Sequence, residues 1–537
     1  MQTLSKETMK ATMKPLQTKL PDIPEAEQTP LVKQLLEIIH RQAEELQHLR
    51  DEIARLKRHK TKPKIRPSQL ENSSKKQAAE GKRPGSEKRS KTAQLEIHET
   101  CRIPPESIPP GSTFKDCQAY IVQEIEIAPH NMRYLLERWE TPAGGLLVGQ
   151  LPDAVQGSHF GPTLVSYILY QYYQCHVTQP LLLEALREWG IDVSSGQLNR
   201  ILTEDKERFH DEKQELLSVA LRFSPYVNVD DTGARHQGKN GYCTHIGNEF
   251  FAWFESTRSK SRLNFLQLLR TGPQDYVLNE EAFDYMRARG CPQYLLTRLG
   301  EHAQKTFSDS SLWEAHLRAL QIQQPRHLQM ATEGALLGSI LTHGLPQSLG
   351  IVSDDAGQFN IFDHALCWIH AERTLNKIIP SNDKEREALQ EIREQLWQLY
   401  NDLKAYKAAP TEAEKQALAV RFDTLFTTKT CDATLNLALK RLHANKSELL
   451  RVLERPEMPL HNNLSEQDIR EYVKRRKISG STRSELGRQA RDTFTSLKKT
   501  CRKLGVSFWK YLKDRTGQLH QIPPLSELIQ QRALAPD

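Results

Sequence analysis

The sequence predicts an α+β protein of several domains. Three observations carry that expectation. Two β-branched runs, residues 226–229 and 350–353, each end on an acidic pair and a Gly turn, Asp230-Asp231-Thr232-Gly233 and Asp354-Asp355-Ala356-Gly357. Val, Ile and Tyr favour the pleated backbone, so both runs read as strands. Further strand candidates follow the first run, and long stretches of helical period, 272–346 and 381–455, interrupt the pattern.

At 537 residues the chain is long enough for more than one domain. No apolar run approaches the ~18 residues needed to cross a bilayer. The opening MQTLSKETMKATMK lacks the apolar core of a signal peptide. The eight Cys form no Cys-x-x-Cys pair, so neither a disulfide framework nor a zinc ribbon is indicated. A reducing, cytoplasmic setting with no membrane association is expected. The formal net charge is +7, yet residues 57–91 alone carry thirteen Lys/Arg against three Asp/Glu. The basicity is therefore segmental, which points to an anionic polymer as partner.

Residues 1–34 show no period and are expected to be disordered. Over 35–56, Leu35, Ile39, Gln42, Leu46, Leu49, Ile53 and Leu56 recur at alternating four and three. That seam predicts a short coiled coil, whose simplest use is a homodimer. Residues 57–95 are too polar to order themselves and read as a basic linker. Residues 96–158 predict a small β-rich domain, with strands at 119–127 and 145–148. The region 159–220 is helical and carries a helix-turn-helix rhythm between Thr178 and Leu202. Leu182, Leu183 and Leu186 face inward, and Ser194 with Gln197 makes a capping box for the second helix. Gln197, Asn199 and Arg200 would project from that helix toward DNA.

The core is expected over 221–380. Strands at 226–229, 242–246 and 250–254 precede a helix at 259–269, and the helical insertion 272–346 follows. The strand ending at Asp354 comes next, then a segment with Cys367-Trp-Ile-His370 and Arg373. A second helical insertion spans 381–455, and 456–515 holds an acidic and then strongly basic helical region before a tail at 516–537. In that region Asn462, Glu466, Arg470 and Lys474 recur every four residues and share a helix face, with Asn463 or Ser465 as cap.

Three carboxylates stand out, namely Asp230 and Asp354 at strand ends and Glu466 on a basic helix. Hard oxygen ligands of this kind suit Mg²⁺ or Mn²⁺. Three strands, a helix and a further strand, followed by a late acidic helix, are the order of a ribonuclease-H-like core, here with large helical insertions.

The motifs VDDTGARHQGKNGY, Ser353-Asp354 with the following Cys-x-x-His, and HNNLSEQDIR with RRKISGSTRS resemble the DDE transposases of bacterial insertion sequences, specifically the insertion sequence sixty-six family. The resemblance runs from about residue 145 to residue 515. It implies that Asp230, Asp354 and Glu466 are catalytic and hold Mg²⁺, with Mn²⁺ as a substitute. Arg470, Lys474, Arg475, Arg476 and Lys477 would contact DNA, and Cys367, His370, Asn462 and Asn463 would support the site. The implied activity is cleavage of element ends and joining to target DNA, by a DNA-associated homodimer that accessory element-encoded proteins assist. Two departures from the family pattern are His461, where an Asp is common, and the missing Cys-rich finger. The residues also admit a ribonuclease-H-like nuclease without strand transfer, or a dimeric DNA-binding regulator.

Overall fold

The computed structural model describes Thr29 and residues 96–534. Apart from Thr29, the expected disordered N-terminus (1–34), coiled coil (35–56) and basic linker (57–95) lie outside the described residues. Two units divide the described chain, one holding 96–132 with 189–191 and the other the remainder.

Among its described residues, the first unit has no helix or strand. The strand expected at 119–127 does not form. Its apolar residues Tyr120, Val122 and Ile125 stand exposed, and an extended run without a ladder partner is not a strand. The β-rich domain expected at 96–158 reduces to one antiparallel ladder in the second unit, Arg138–Glu140 on Leu146–Val148.

The second unit is mixed α/β around a five-stranded sheet. Its strands are β1 (Tyr226–Gly233), β2 (Tyr242–Gly247), β3 (Ala252–Thr257), β4 (Gly350–Ser353) and β5 (Asp363–Leu366). The spatial order is β3-β2-β1-β4-β5. The β1–β2 and β2–β3 pairings are antiparallel, and β1–β4 and β4–β5 are parallel. Central strands are covered on both faces, so Val227, Val229, Ile351 and Val352 are fully buried. Strand β1 is longer than the sequence implied and runs through the acidic pair to Gly233. Strand β3 begins at Ala252 rather than at 250, because Asn248 closes a tight connection. Its Oδ1 accepts from the N–H of Phe250 (2.9 Å) and Phe251 (3.3 Å).

Helices α1 (Pro162–Leu169), α2 (Gln179–Glu188), α3 (Ser195–Thr203) and α4 (Glu207–Phe223) precede the sheet. The α2–α3 pair buries Leu182, Leu186, Leu198 and Leu202, and Leu183 is half-buried. The capping box forms as the sequence indicated, Gln197 N–H to Ser194 Oγ at 3.1 Å and Ser194 N–H to Gln197 Oε1 at 3.0 Å. After β3 comes α5 (Arg262–Leu269), capped by Ser261. The first insertion is α6 (Glu280–Ala288), α7 (Gln293–Glu301), α8 (Ser310–Ala319) and α9 (Pro325–Thr342). It supplies the crossover that the parallel β1–β4 pair requires. After β5 come α10 (Trp368–Asn376) and the second insertion, α11 (Asp383–Ala408), α12 (Glu412–Thr427) and α13 (Ala433–Ala444). The α11 stripe Leu389, Ile392, Leu396, Leu399 and Leu403 is buried throughout. The chain closes with α14 (Asn463–Ser479), α15 (Glu485–Lys503), α16 (Phe508–Thr516) and α17 (Leu525–Leu534).

The sheet edge at β3 is closed by side chains of α15. Asp492 Oδ2 accepts from Ser256 N–H (2.8 Å), Ser496 Oγ from Phe254 N–H (2.9 Å) and Thr500 Oγ1 from Ala252 N–H (3.1 Å). Thr500 Oγ1 also donates to Ala252 C=O at 3.2 Å. Four helical residues rise about 6.0 Å, and two strand residues about 6.8 Å. The two repeats nearly match, so one helix face stands in for a sixth strand and protects the edge.

Candidate active site

The site is built where α14 crosses the sheet. Its buried stripe, Asn462, Ser465, Asp468, Ile469, Tyr472 and Arg475, recurs at three and four residues, which is one helix face. Most of that stripe is polar, so hydrogen bonds anchor it. Asn462 accepts from Asn228 Nδ2 (2.9 Å) and donates to the Val229 carbonyl (2.7 Å), both on β1. Its side chain is therefore not a helix cap, and neither Asn463 nor Ser465 supplies one. Ser465 Oγ instead meets His245 Nδ1 at 2.8 Å. Asp468 lies 3.2 Å from His245 Nε2, 2.9 Å from Lys499 Nζ and 2.6 Å from Lys503 Nζ. Burial alone would raise the Asp468 carboxyl, but His245 and the two lysines hold it well below the usual carboxylate range. Gly480, at φ 69°, ends the helix in a conformation that side-chain-bearing residues rarely adopt.

Glu466 sits one position off the buried stripe, half-exposed at its edge. Asp230 is the cross-strand partner of His245, and Asp354 follows the end of β4. These three acids come from separate elements, and Asp354 and Glu466 both lie within electrostatic reach of Asp230. The Asp230 carboxyl is raised to about 7, chiefly by burial. The Asp231 N–H, donating to Asp230 Oδ1 at 2.7 Å, opposes the rise, while Asp354, Asp231 and Glu466 add to it. Asp231 points to the other side, as strand alternation requires. It accepts from Thr244 Oγ1 (2.5 Å) and Gln358 Nε2 (3.0 Å). Asp355 likewise turns away and pairs with Arg441.

Arg373, on α10, closes the cluster. Its Nη1 donates to Glu466 Oε1 at 2.9 Å and to His370 Nε2 at 3.1 Å. His370 Nε2 also lies 3.7 Å from Glu466. Burial and then Arg373 lower the His370 pKa, so the ring is neutral near pH 7. Cys367 is buried at the start of α10, and burial pushes its thiol up to about 11. Its Sγ accepts the Asn462 N–H at 3.2 Å, so it ties α10 to α14 as a neutral thiol. Among the described residues, no group of three or more His, Cys, Asp or Glu is spaced to hold a metal ion.

The expected DNA-contacting residues divide. Arg470, Lys474 and Lys477 are exposed along α14 beyond Glu466. Arg475 does not face solvent. It is buried, donates to the Tyr172 carbonyl at 2.8 Å and stacks 3.8 Å over the Tyr172 ring. Three residues on from Tyr472, it belongs to the packed stripe, not the outer face. Arg476 pins α14 to β1 through the Gly233 carbonyl. In α3, Gln197 folds back into its capping box and does not project as expected. Asn199 accepts from Gln179 Nε2 at 3.2 Å, and Arg200 remains exposed. The sequence reading missed the roles of Arg373, His245 and Asp468. The i+3 spacing of Asn462, Ser465 and Asp468 was the available signal, masked because a polar stripe does not look like a packed one.

A profile of the family described as Transposase IS66 family matches residues 346–490, which include Asp354 and Glu466 but not Asp230. The chain is also 44% identical over 321 residues to the uncharacterized protein y4jO of Sinorhizobium fredii (strain NBRC 101917 / NGR234). That match covers 59% of this chain and 100% of y4jO. No helix among the described residues is long and apolar enough to cross a membrane. With acids of two separate elements, the helix that carries Glu466 and the loop after it all inside the matched span, the chain belongs to the IS66 family of transposases.

Proposed function

We propose that this chain is a DDE-type transposase that cuts the ends of an insertion sequence and joins them to target DNA. The observation that carries the reading is that Asp354, at the end of β4, and Glu466, on α14, both act on the buried Asp230 carboxyl of β1. The β3-β2-β1-β4-β5 order, antiparallel on one side of β1 and parallel on the other, supports a ribonuclease-H-like core.

The donors are of the type a hard divalent cation takes and the raised Asp230 marks excess negative charge there, although as spaced in this structure they form no metal cage. Asp230, Asp354 and Glu466 would hold Mg²⁺ or Mn²⁺. Such ions activate a nucleophilic oxygen and stabilise the leaving oxygen in phosphoryl transfer. The protein's own residues orient and position. Asn462 fixes the start of α14 against β1, so Glu466 is presented from a rigid helix. Arg373 pairs with Glu466 and, as a cation beside the cluster, lies ready to meet a phosphate. Arg470, Lys474 and Lys477 extend a cationic track for the DNA backbone. A DNA-associated homodimer through residues 35–56, aided by accessory element-encoded proteins, completes the proposal.

The test is strand cleavage and strand transfer on an element-end duplex with Mg²⁺. Asp230→Asn is expected to abolish both steps while DNA binding is retained. Mg²⁺-dependent cleavage that persists in the purified variant would remove Asp230 from the chemistry. Cleavage without joining by the unaltered protein would reassign it as a nuclease.

A further inference from the structure

Away from the carboxylate cluster, a cavity of about 570 Å³ lies between the turn after β1, the end of β3 and the first turns of α15. Its charged lining is Lys239, Arg258, Arg488 and Arg491 against Glu485, with His236 beside them. The decisive residue is Arg491. It is only 6% exposed, and its Nε and Nη2 have no hydrogen-bond partner. Its guanidinium stacks 4.7 Å over the Tyr472 ring. The neighbouring carboxylate, Asp492, is spent on the edge strand through Ser256 N–H (2.8 Å) and Ser256 Oγ (3.0 Å). Asp492 offsets part of the Arg491 charge, yet Nε and Nη2 stay unbonded, which is costly for a buried guanidinium. Arg488 is partly satisfied by Glu485 and the Ser256 carbonyl, whereas Lys239 and Arg258 are exposed.

The walls are already fixed. His236 Nδ1 meets Thr482 Oγ1 at 2.9 Å, and Gln237 N–H donates to the Thr482 carbonyl at 2.8 Å. A stacked guanidinium at the wall, with Lys239, Arg258 and Arg488 around it, makes the cavity a cationic one that suits a phosphate. Ala234, on the cavity wall, is four residues beyond Asp230 on the same chain run. At the strand rise that is roughly 13 Å. One strand of duplex advances 3.4 Å per nucleotide, so about four steps separate the two places.

We propose that this cavity takes a phosphate of the DNA backbone, a second grip on the strand that the carboxylate cluster acts on. The inference rests on the transposase reading. It is tested on the full chain in EDTA, so that catalysis plays no part, with an element-end duplex titrated across 50–200 mM salt. Two variants are compared, Arg491→Met and the exposed pair Lys239→Ala/Arg258→Ala, the latter keeping the test valid should the buried substitution fail to fold. Losing one phosphate contact is expected to flatten the log–log salt slope by about 0.9 and weaken binding about eightfold at 0.1 M salt. Unchanged slopes in variants that fold would overturn the proposal. In a second arm, inorganic phosphate is compared with chloride at equal ionic strength by thermal unfolding. If slopes are unchanged but phosphate stabilises the unaltered chain and not Arg491→Met, the cavity binds free phosphate and the DNA assignment is overturned. Failure of the unaltered chain to bind DNA would overturn both this inference and the transposase reading. A defect limited to cleavage would touch only the latter.

Discussion

Asp230→Asn should change stability as well as catalysis, and in a pH-dependent way. The folded carboxyl titrates at about 7, mainly because it is buried and then because Asp354, Asp231 and Glu466 surround it. Unfolded, it titrates near the ordinary 3.8. Between those values the native chain binds more protons than the unfolded one. The contribution of Asp230 to stability is therefore present at low pH, falls as pH rises through that window, and is gone above about 7. Each unit is worth about 1.4 kcal/mol, and from pH 5 to pH 8 about two units are crossed. The ceiling on the loss is thus on the order of 3 kcal/mol, and residual solvent contact reduces it. Asparagine keeps the shape and removes the charge. Urea unfolding in EDTA at pH 5 and pH 8 should show the variant gaining on the unaltered chain by about 1–3 kcal/mol over that interval. Mg²⁺ at pH 8 should stabilise the unaltered chain and leave the variant nearly unmoved. Parallel pH profiles for the two proteins would refute the crowded-carboxylate argument, whatever the cleavage assay says.

Two further tests separate packing from function. Thr500→Val deletes a hydroxyl that serves both the Ala252 N–H and its carbonyl, so stability should fall by about 1–3 kcal/mol, read as a lower urea midpoint with m unchanged, while Thr500→Ser should recover most of the loss. Arg475→Met should lower stability without changing the salt slope of DNA binding, because Arg475 is bonded and stacked on Tyr172. Lys474→Ala should do the reverse, with the slope shallower by about 0.9 and stability unaltered.

Short-range rules read much of this chain correctly. The β-branched runs before Asp230 and Asp354 are strands, the capping box at Ser194 and Gln197 forms, and the α11 stripe is buried. Each of these depends on residues within a few positions of one another, where backbone propensity and side-chain period act directly. The strand expected at 119–127 failed for the complementary reason, since a strand requires a partner that its own residues cannot supply.

What the sequence determined by itself was the set of chemical groups: three acids at element ends, cations on the helix after Glu466, and the family's motifs around them. What only the tertiary structure decided was where each group's bonding capacity is spent. Arg475 and Arg476 are adjacent to Lys474 and Lys477, yet the first pair binds backbone carbonyls and the second faces solvent. Asp492, Ser496 and Thr500 look like solvated helix residues until the edge of β3 lies against them. The reason is physical. A polar side chain is defined by the partner that satisfies it, and here those partners lie hundreds of residues away in the chain.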